Sequence, residues 1–181
     1  MPELPEIETI LRGLEKPLLG CRIMRVLKRR DSLRWPLPHN FVQGLHLSAI
    51  KSLDRRAKFL LIHLDNNLVW LIHLGMSGRI LIRDGHSFVP EKHDHVLIET
   101  SFGQTLVYRD PRRFGMMDLI QFDKLCEYKL LKNLGPEPFS QTFNANSLLK
   151  SLSTKRMSIK SALLDQRILA GLGNIYACES L

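Results

Sequence analysis

The chain has 181 residues, with 26 Lys and Arg against 18 Asp and Glu, a formal net charge of +8 and a pI of about 9.7. A hydrophobic content of 44% supports a packed core and excludes wholesale disorder, and no apolar run is long enough to span a bilayer, the longest candidate, Leu68–Leu74, being interrupted by His73. The positive balance suits a polyanionic partner, nucleic acid above all. The acidic, proline-broken start Met1-Pro2-Glu3-Leu4-Pro5-Glu6 lacks the basic-then-apolar pattern of a secretory signal, so a cytoplasmic protein with no membrane partner is expected.

In chain order, Pro5, Glu6 and Glu8 suit the first turn of a helix, and Ile7, Ile10, Leu11 and Leu14 follow at helical spacing until Pro17 and Gly20 end it. From Cys21 to Gln121 the pattern changes to short strands: Ile23–Leu27, Leu47–Leu53, Phe59–Leu64, Leu68–Leu74, Arg79–Ile82, His95–Thr100, Thr105–Tyr108 and Met116–Phe122. Asp65-Asn66-Asn67 and Ser101-Phe102-Gly103-Gln104 read as hairpin turns, and Gly85–His93 as a polar loop. Such a series predicts an antiparallel β-sandwich or barrel. Residues 133–146, with Gly135-Pro136-Glu137-Pro138, read as a linker between a unit at 1–132 and a helical unit at 147–181. The helical unit starts with a short helix, Ser147–Leu152. A second helix, capped by Ser158, carries Ile159, Ala162 and Leu163; then come a tight turn, Gly171-Leu172-Gly173, and a helix start at Asn174–Leu181. That last helix meets no stop signal, so the chain reads as cut inside a structural unit. The fold class is α+β. Cys21, Cys126 and Cys178 are odd in number and far apart, with no C-x-x-C pair, and are expected to be buried free thiols.

Several clusters carry chemistry. If Met1 is removed, Pro2 presents a secondary amine, which is partly neutral at pH 7 and able to form an iminium with a sugar C1′. Glu3 and Glu6 are placed for proton transfer. In Arg55-Arg56-Ala57-Lys58, a lysine beside two arginines can have a lowered pKa and act as acid or base. His73-Leu74-Gly75-Met76-Ser77-Gly78 sets an adaptable Met between glycines, able to wedge into an unstacked base step. In His93-Asp94-His95 the first histidine suits a phosphate contact and the second a strand or core role; no third cluster supports a metal. Asp110-Pro111-Arg112-Arg113-Phe114-Gly115 offers a guanidinium for an unpaired base and an aromatic to stack on its neighbour. Two helix starts, one with Arg156 and one with Asn174, are natural phosphate clamps. Taken singly, each cluster also suits a plain structural role: a solvated helix start, a solvated charge cluster, a filled turn, a surface loop with Asp–Arg pairing.

Together, in this order, Met1–Glu6, Arg55–Lys58, His73–Gly78, Lys92–His95, Asp110–Gly115, Leu134–Pro138 and Leu172–Glu179 resemble the bacterial formamidopyrimidine-DNA glycosylase family, also called MutM. The resemblance implies an N-terminal helix and antiparallel β-sandwich followed by a helix–two-turn–helix DNA-binding domain, here incomplete. It implies a monomeric base-excision enzyme of the bacterial cytoplasm, associated with the nucleoid, that flips an oxidised purine such as 8-oxoguanine or formamidopyrimidine out of damaged double-stranded DNA and then cleaves the strand. By residue, it implies that Pro2 attacks C1′, Glu3 donates the proton for base loss, Glu6 supports the same site and Lys58 donates the proton for β-elimination. His73, His93, Arg112, Arg156 and Asn174 match DNA-binding positions, and Met76, Arg112 and Phe114 match the residues that fill the gap and address the orphaned base. The family's structural zinc belongs to a C-terminal four-cysteine finger with no counterpart in this sequence, so no cofactor is expected within it. Two alternatives are a catalytically impaired DNA-binding fragment and an endonuclease VIII-like glycosylase for oxidised pyrimidines.

Overall fold

A computed structural model describes residues 2–85, 89–153 and 155–181; Met1, and with it the expectation of its removal, lies outside them, as does part of the polar loop at 85–93. Helix α1 spans Leu4–Leu18 and buries Leu4, Ile7, Leu11, Leu14 and Leu18 on one face. As expected, it ends between Pro17 and Gly20, one residue past the proline. A proline in the last turn removes one N–H donor, and the Leu19 N–H resumes the ladder to the Glu15 carbonyl at 2.8 Å. Gly20, at φ +81°, then makes the reversal that no residue with a Cβ makes readily.

Eight strands follow: β1 (Ile23–Lys28), β2 (Ile50–Arg56), β3 (Phe59–Leu64), β4 (Leu68–His73), β5 (Arg79–Asp84), β6 (Asp94–Thr100), β7 (Gln104–Arg109) and β8 (Met116–Gln121). They form two four-stranded antiparallel sheets, in the orders β1-β6-β7-β5 and β2-β3-β4-β8. The expected hairpins lie between β3 and β4, with Asn67 at φ +62°, and between β6 and β7, with Gly103 at φ +77°. The strand expected at Leu47–Leu53 is shifted. A short helix that the sequence pattern did not announce, α2 (Phe41–Leu45), precedes it; Leu47 is left-handed, and β2 runs on through Arg55 and Arg56, which pair with Leu60 and Phe59. The register brings β2 to a turn at Ala57-Lys58 and sets Phe59 opposite His73 and His73 opposite Met116. Lys58 and His73 therefore reach the same edge of the second sheet.

The core fills the space between the sheets and under α1. Ile23, Val96, Ile98, Leu106 and Tyr108 from one sheet meet Ile50, Leu60, Ile62, Trp70 and Ile72 from the other. The outer face of the second sheet is also apolar, with Leu61, Val69, Leu71, Met116 and Ile120, and is covered by the segment around Leu125–Leu134. Three short helices complete the chain: α3 (Ala145–Leu152), capped by Asn144; α4 (Ile159–Leu164), capped by Ser158 through a 3.2 Å bond from the Ser161 N–H; and α5 (Asn174–Glu179). The expected unbroken run to Leu181 is not seen. Helix α5 closes at Glu179, where the Ser180 N–H donates to the Tyr176 carbonyl.

Only Cys21 of the three cysteines is buried; Cys126 and Cys178 are exposed, because the segment at 122–127 and helix α5 turn those positions outward. Among the described residues no helix is long and apolar enough to cross a membrane.

Ile62 is fully buried between the sheets. Ile62→Ala is expected to cost about 2–5 kcal/mol of folding stability, read as a lowered urea midpoint at an unchanged slope.

Candidate active site and nucleic-acid interface

Glu3 is the residue just before α1, yet its side chain belongs to the far end of the chain. It is 1% exposed. Its Oε2 accepts the backbone N–H of Gly173 at 2.9 Å and of Tyr176 at 3.4 Å, and its Oε1 accepts that of Ile175 at 2.9 Å. The first N–H groups of a helix have no partner within it, and a carboxylate at that end also complements the dipole. The approach is close enough to require glycine. A Cβ on Gly173 would lie 2.3 Å from the Glu3 carboxyl carbon, and one on Gly171, at φ +92°, would lie 2.5 Å from the Leu4 side chain. The Leu4 N–H donates to the Gly171 carbonyl at 3.2 Å. Glu6 completes the arrangement: Oε2 accepts the Glu3 backbone N–H at 2.8 Å and Oε1 accepts the Tyr176 hydroxyl at 2.9 Å. Partial burial pushes the Glu6 carboxyl up, but these two hydrogen bonds outweigh it and hold the group below the ordinary carboxylate range. Pro2 precedes Glu3 directly and is half-buried.

Lys58 sits at the tip of the β2–β3 hairpin, next to Ala57 at φ +53°. The two arginines beside it are not a solvated cluster. Arg55 donates to Glu137 at 2.7 Å and to Glu8 at 2.9 Å, and Arg56 donates to Glu137 at 3.1 Å and to the carbonyls of Leu134 and Gly135. Glu137 also accepts the Ala57 backbone N–H at 2.6 Å, so residues 134–137 hold the turn that presents Lys58. The Lys58 pKa is lowered, as the sequence suggested, but for a different reason. Burial disfavours the ammonium, nearby Glu3 partly restores it, and the arginines are committed elsewhere.

His73 ends β4. Its Nδ1 accepts the Gly75 N–H at 3.1 Å, which places the proton of the neutral ring on Nε2. Burial first, then the charges of Lys58 and Arg34, push its pKa down to about 4. Lys58, His73, Gly173 and Asn174 line one cleft of about 510 Å³, with Phe59, Leu134, Leu164 and Gln166 as further walls. The cleft thus joins the sheet edge to the start of α5.

A second group forms where the 74–78 turn meets the 110–115 loop. Met76 and Phe114 are each a little over 40% exposed, and the Arg112 guanidinium stacks 4.6 Å from the centre of the Phe114 ring. Asp110, read from sequence as the acid of an Asp–Arg-paired surface loop, is fully buried; its carboxylate accepts from Ser77, Tyr108 and Gly115 instead. His93 is half-buried and its carbonyl accepts the Asp110 N–H, while His95 is buried on β6 with Nε2 at 2.8 Å from the Asp110 carbonyl. Arg156 is exposed between α3 and α4 and joins neither group.

The structure therefore brings Glu3, Glu6, Lys58, His73 and Asn174 together, and Met76, Arg112 and Phe114 together. Sequence reasoning missed Tyr176, Glu137, Ser77 and the positioning role of Asp110. All four lay inside the quoted motifs, but their importance rests on contacts between distant segments. Among the described residues no group of three or more His, Cys, Asp or Glu side chains is placed to hold a metal ion.

Residues 1–117 match the family model for the formamidopyrimidine-DNA glycosylase N-terminal domain, and residues 134–181 match that for the formamidopyrimidine-DNA glycosylase H2TH domain. The chain belongs to the formamidopyrimidine-DNA glycosylase family. Over its full length it is 48% identical to the formamidopyrimidine-DNA glycosylase of Dinoroseobacter shibae and 49% identical to that of Rhodospirillum rubrum, spanning 66% and 65% of those proteins. A Lactococcus lactis Fpg solved in complex with DNA containing an abasic site superposes with a TM-score of 0.87 at 33% identity, over 97% of this chain and 64% of that one. A MutM in complex with DNA containing carbocyclic 8-oxo-G superposes equally well, at 34% identity over 97% of this chain and 65% of that one.

The low His73 pKa sets a pH window. An unfolded histidine takes up a proton near pH 6.5, which the folded protein refuses until about pH 4, so the unfolded state binds more protons between these limits. The stability present above pH 6.5 is expected to fall as the pH drops through this range, and His73→Gln should flatten that part of the profile. Urea midpoints across the window, with the His73 ring followed by NMR, check it.

Proposed function

We propose that this chain carries the catalytic unit of a DNA glycosylase with abasic-site lyase activity, acting on oxidised purines in damaged duplex DNA. In this reading residues 1–132 form the catalytic unit, 133–146 the linker and 147–181 a DNA-binding helical unit. The observation that carries it is the buried carboxylate of Glu3, fixed by the N–H groups of α5 beside half-buried Pro2, with Lys58 close enough to feel its charge.

Once Met1 is removed, the Pro2 nitrogen attacks C1′ of the lesion nucleotide. As the N–C1′ bond forms, the Pro2 N–H gives up its proton, which Glu3 relays to the departing base; the C1′–O4′ bond then opens with a proton to O4′, and the sugar remains bound to Pro2 as an iminium. Loss of a C2′ proton then expels the 3′-phosphate, with Lys58 as the proton donor in that step. Burial lowers the Lys58 pKa and so brings it nearer to working pH. His73 Nε2–H and the Asn174 side chain, on opposite walls of the cleft, are donors for backbone phosphates, with His93, Arg112 and Arg156 as outer contacts. Phosphate contacts give such binding a steep salt dependence, with a log–log slope of roughly −0.9 per phosphate neutralised. Met76, Arg112 and Phe114 enter the space that the flipped nucleotide leaves.

Borohydride trapping tests the reading. With Met1 removed, the protein is expected to form a covalent adduct through Pro2 on an 8-oxoguanine duplex, and less on an oxidised-pyrimidine duplex. Glu3→Gln should bind the duplex without excising the base. It should also lower stability by about 1–3 kcal/mol, since one of the α5 N–H groups then faces an amide donor. Lys58→Ala should slow strand cleavage far more than it shifts the melting temperature. Undiminished trapping by protein that retains Met1 would sink the assignment of Pro2.

A further inference from the structure

We propose that buried Asp110, acting with Ser77, is a positioning residue that locks the 74–78 turn to the 110–115 loop, so that Met76, Arg112 and Phe114 meet a duplex as one preassembled wedge; this rests on the nucleic-acid reading above. Asp110 is fully buried and every polar atom of it is engaged. Its Oδ1 accepts the Ser77 hydroxyl at 2.5 Å, and its Oδ2 accepts the Tyr108 hydroxyl at 3.1 Å and the Gly115 N–H at 2.8 Å. Its N–H donates to the His93 carbonyl, and its own carbonyl accepts the Arg113 N–H at 3.3 Å and faces His95 Nε2.

Ser77 carries the connection across the gap between the segments. Its hydroxyl donates to Asp110 while its oxygen accepts the Arg112 N–H at 3.1 Å. The turn that bears Met76 is thereby tied, through one side chain, both to the backbone of Arg112 and to the acid that fixes Gly115. The flanking glycines permit this approach. A Cβ on Gly75 would lie 2.4 Å from the Phe114 carbonyl carbon, one on Gly115 would lie 1.7 Å from the Tyr108 hydroxyl, and one on Gly78 would lie 2.8 Å from that hydroxyl.

A buried carboxylate with neutral donors is an expensive way to hold two surface turns together, since apolar packing does that at lower desolvation cost. What directional bonds add is one relative position of the turns. Met76 and Phe114 stay exposed, and the Arg112–Phe114 stack is set before any partner arrives. Binding then need not order three side chains on two independent loops.

The test uses a duplex with aminopurine opposite a tetrahydrofuran abasic analogue, beside an undamaged duplex. The unaltered protein is expected to raise aminopurine fluorescence and to prefer the abasic duplex. Ser77→Ala, which spares the buried acid and the fold, should remove most of the rise and cut the preference roughly three- to tenfold, the value of one lost hydrogen bond. In a Met76→Ala background the same change should remove less than it does from the unaltered protein, because the part of its effect that passes through Met76 is already gone. A full rise in Ser77→Ala, or an equal loss with and without Met76, overturns the proposal while the nucleic-acid reading stands. No rise and no preference in the unaltered protein overturns both.

Discussion

The contact between Glu3 and the N-terminus of α5 ties together the two ends of the sequence. Without it, α5 has no tertiary partner for its first N–H groups, and a helix of six residues is too short to persist alone. With it, the start of α1 fixes the start of α5, and Gly171 and Gly173 are required because the two backbones approach within reach of a single side chain. The cleft lined by Lys58, His73 and Asn174 takes its α5 wall from this contact, while strand pairing and Glu137 hold the wall that bears Lys58 and His73. The same carboxylate that joins the starts of α1 and α5 is the one proposed to move a proton. Ordinary helix capping leaves the carboxylate in water; here it is buried beside a lysine whose ammonium is itself desolvated.

Most of the sandwich was legible because strand length, alternation and turn residues agree. Phe59–Leu64 lies where its pattern puts it, and Asp65–Asn67 makes the turn its composition demands. The misreadings share a cause. Leu47 looks like the first residue of an apolar strand, but it ends the turn that follows α2, whose Phe41 and Leu45 are drawn into the core by packing rather than by any periodic pattern. In the site, each residue type was visible and each partner was not. Glu137 sits in a proline-rich segment that reads as a linker, and only the fold shows it accepting from Arg55, Arg56 and the backbone of Ala57. Asp110 beside two arginines invites a local ion pair, and only the meeting of two turns shows why it is buried among hydroxyls and an N–H instead.

That difference in partners decides which of the chain's many cations remain free for a polyanion. Arg55, Arg56 and Arg109 are spent on Glu8, Glu137, Glu91 and Asp94 inside the fold. Two deeply buried acids take a different course: Glu3 is satisfied by three backbone N–H groups, and Asp110 by two hydroxyls and one N–H. Neutral donors balance the hydrogen bonds of a carboxylate without cancelling a neighbouring positive charge. Among the described residues no ion pair engages Lys58, Arg112 or Arg156, and the Arg112 guanidinium lies on an aromatic face rather than on an acid. Had either buried acid drawn in a cation, as Asp94 draws in Arg109, one fewer positive charge would be left unpaired near the cleft. The net charge of +8 gives only the overall sign of the partner. Where that charge can act is set by which acids were satisfied by backbone and hydroxyl groups, and those are the acids that hold the α5 side of the cleft and join the 74–78 turn to the 110–115 loop.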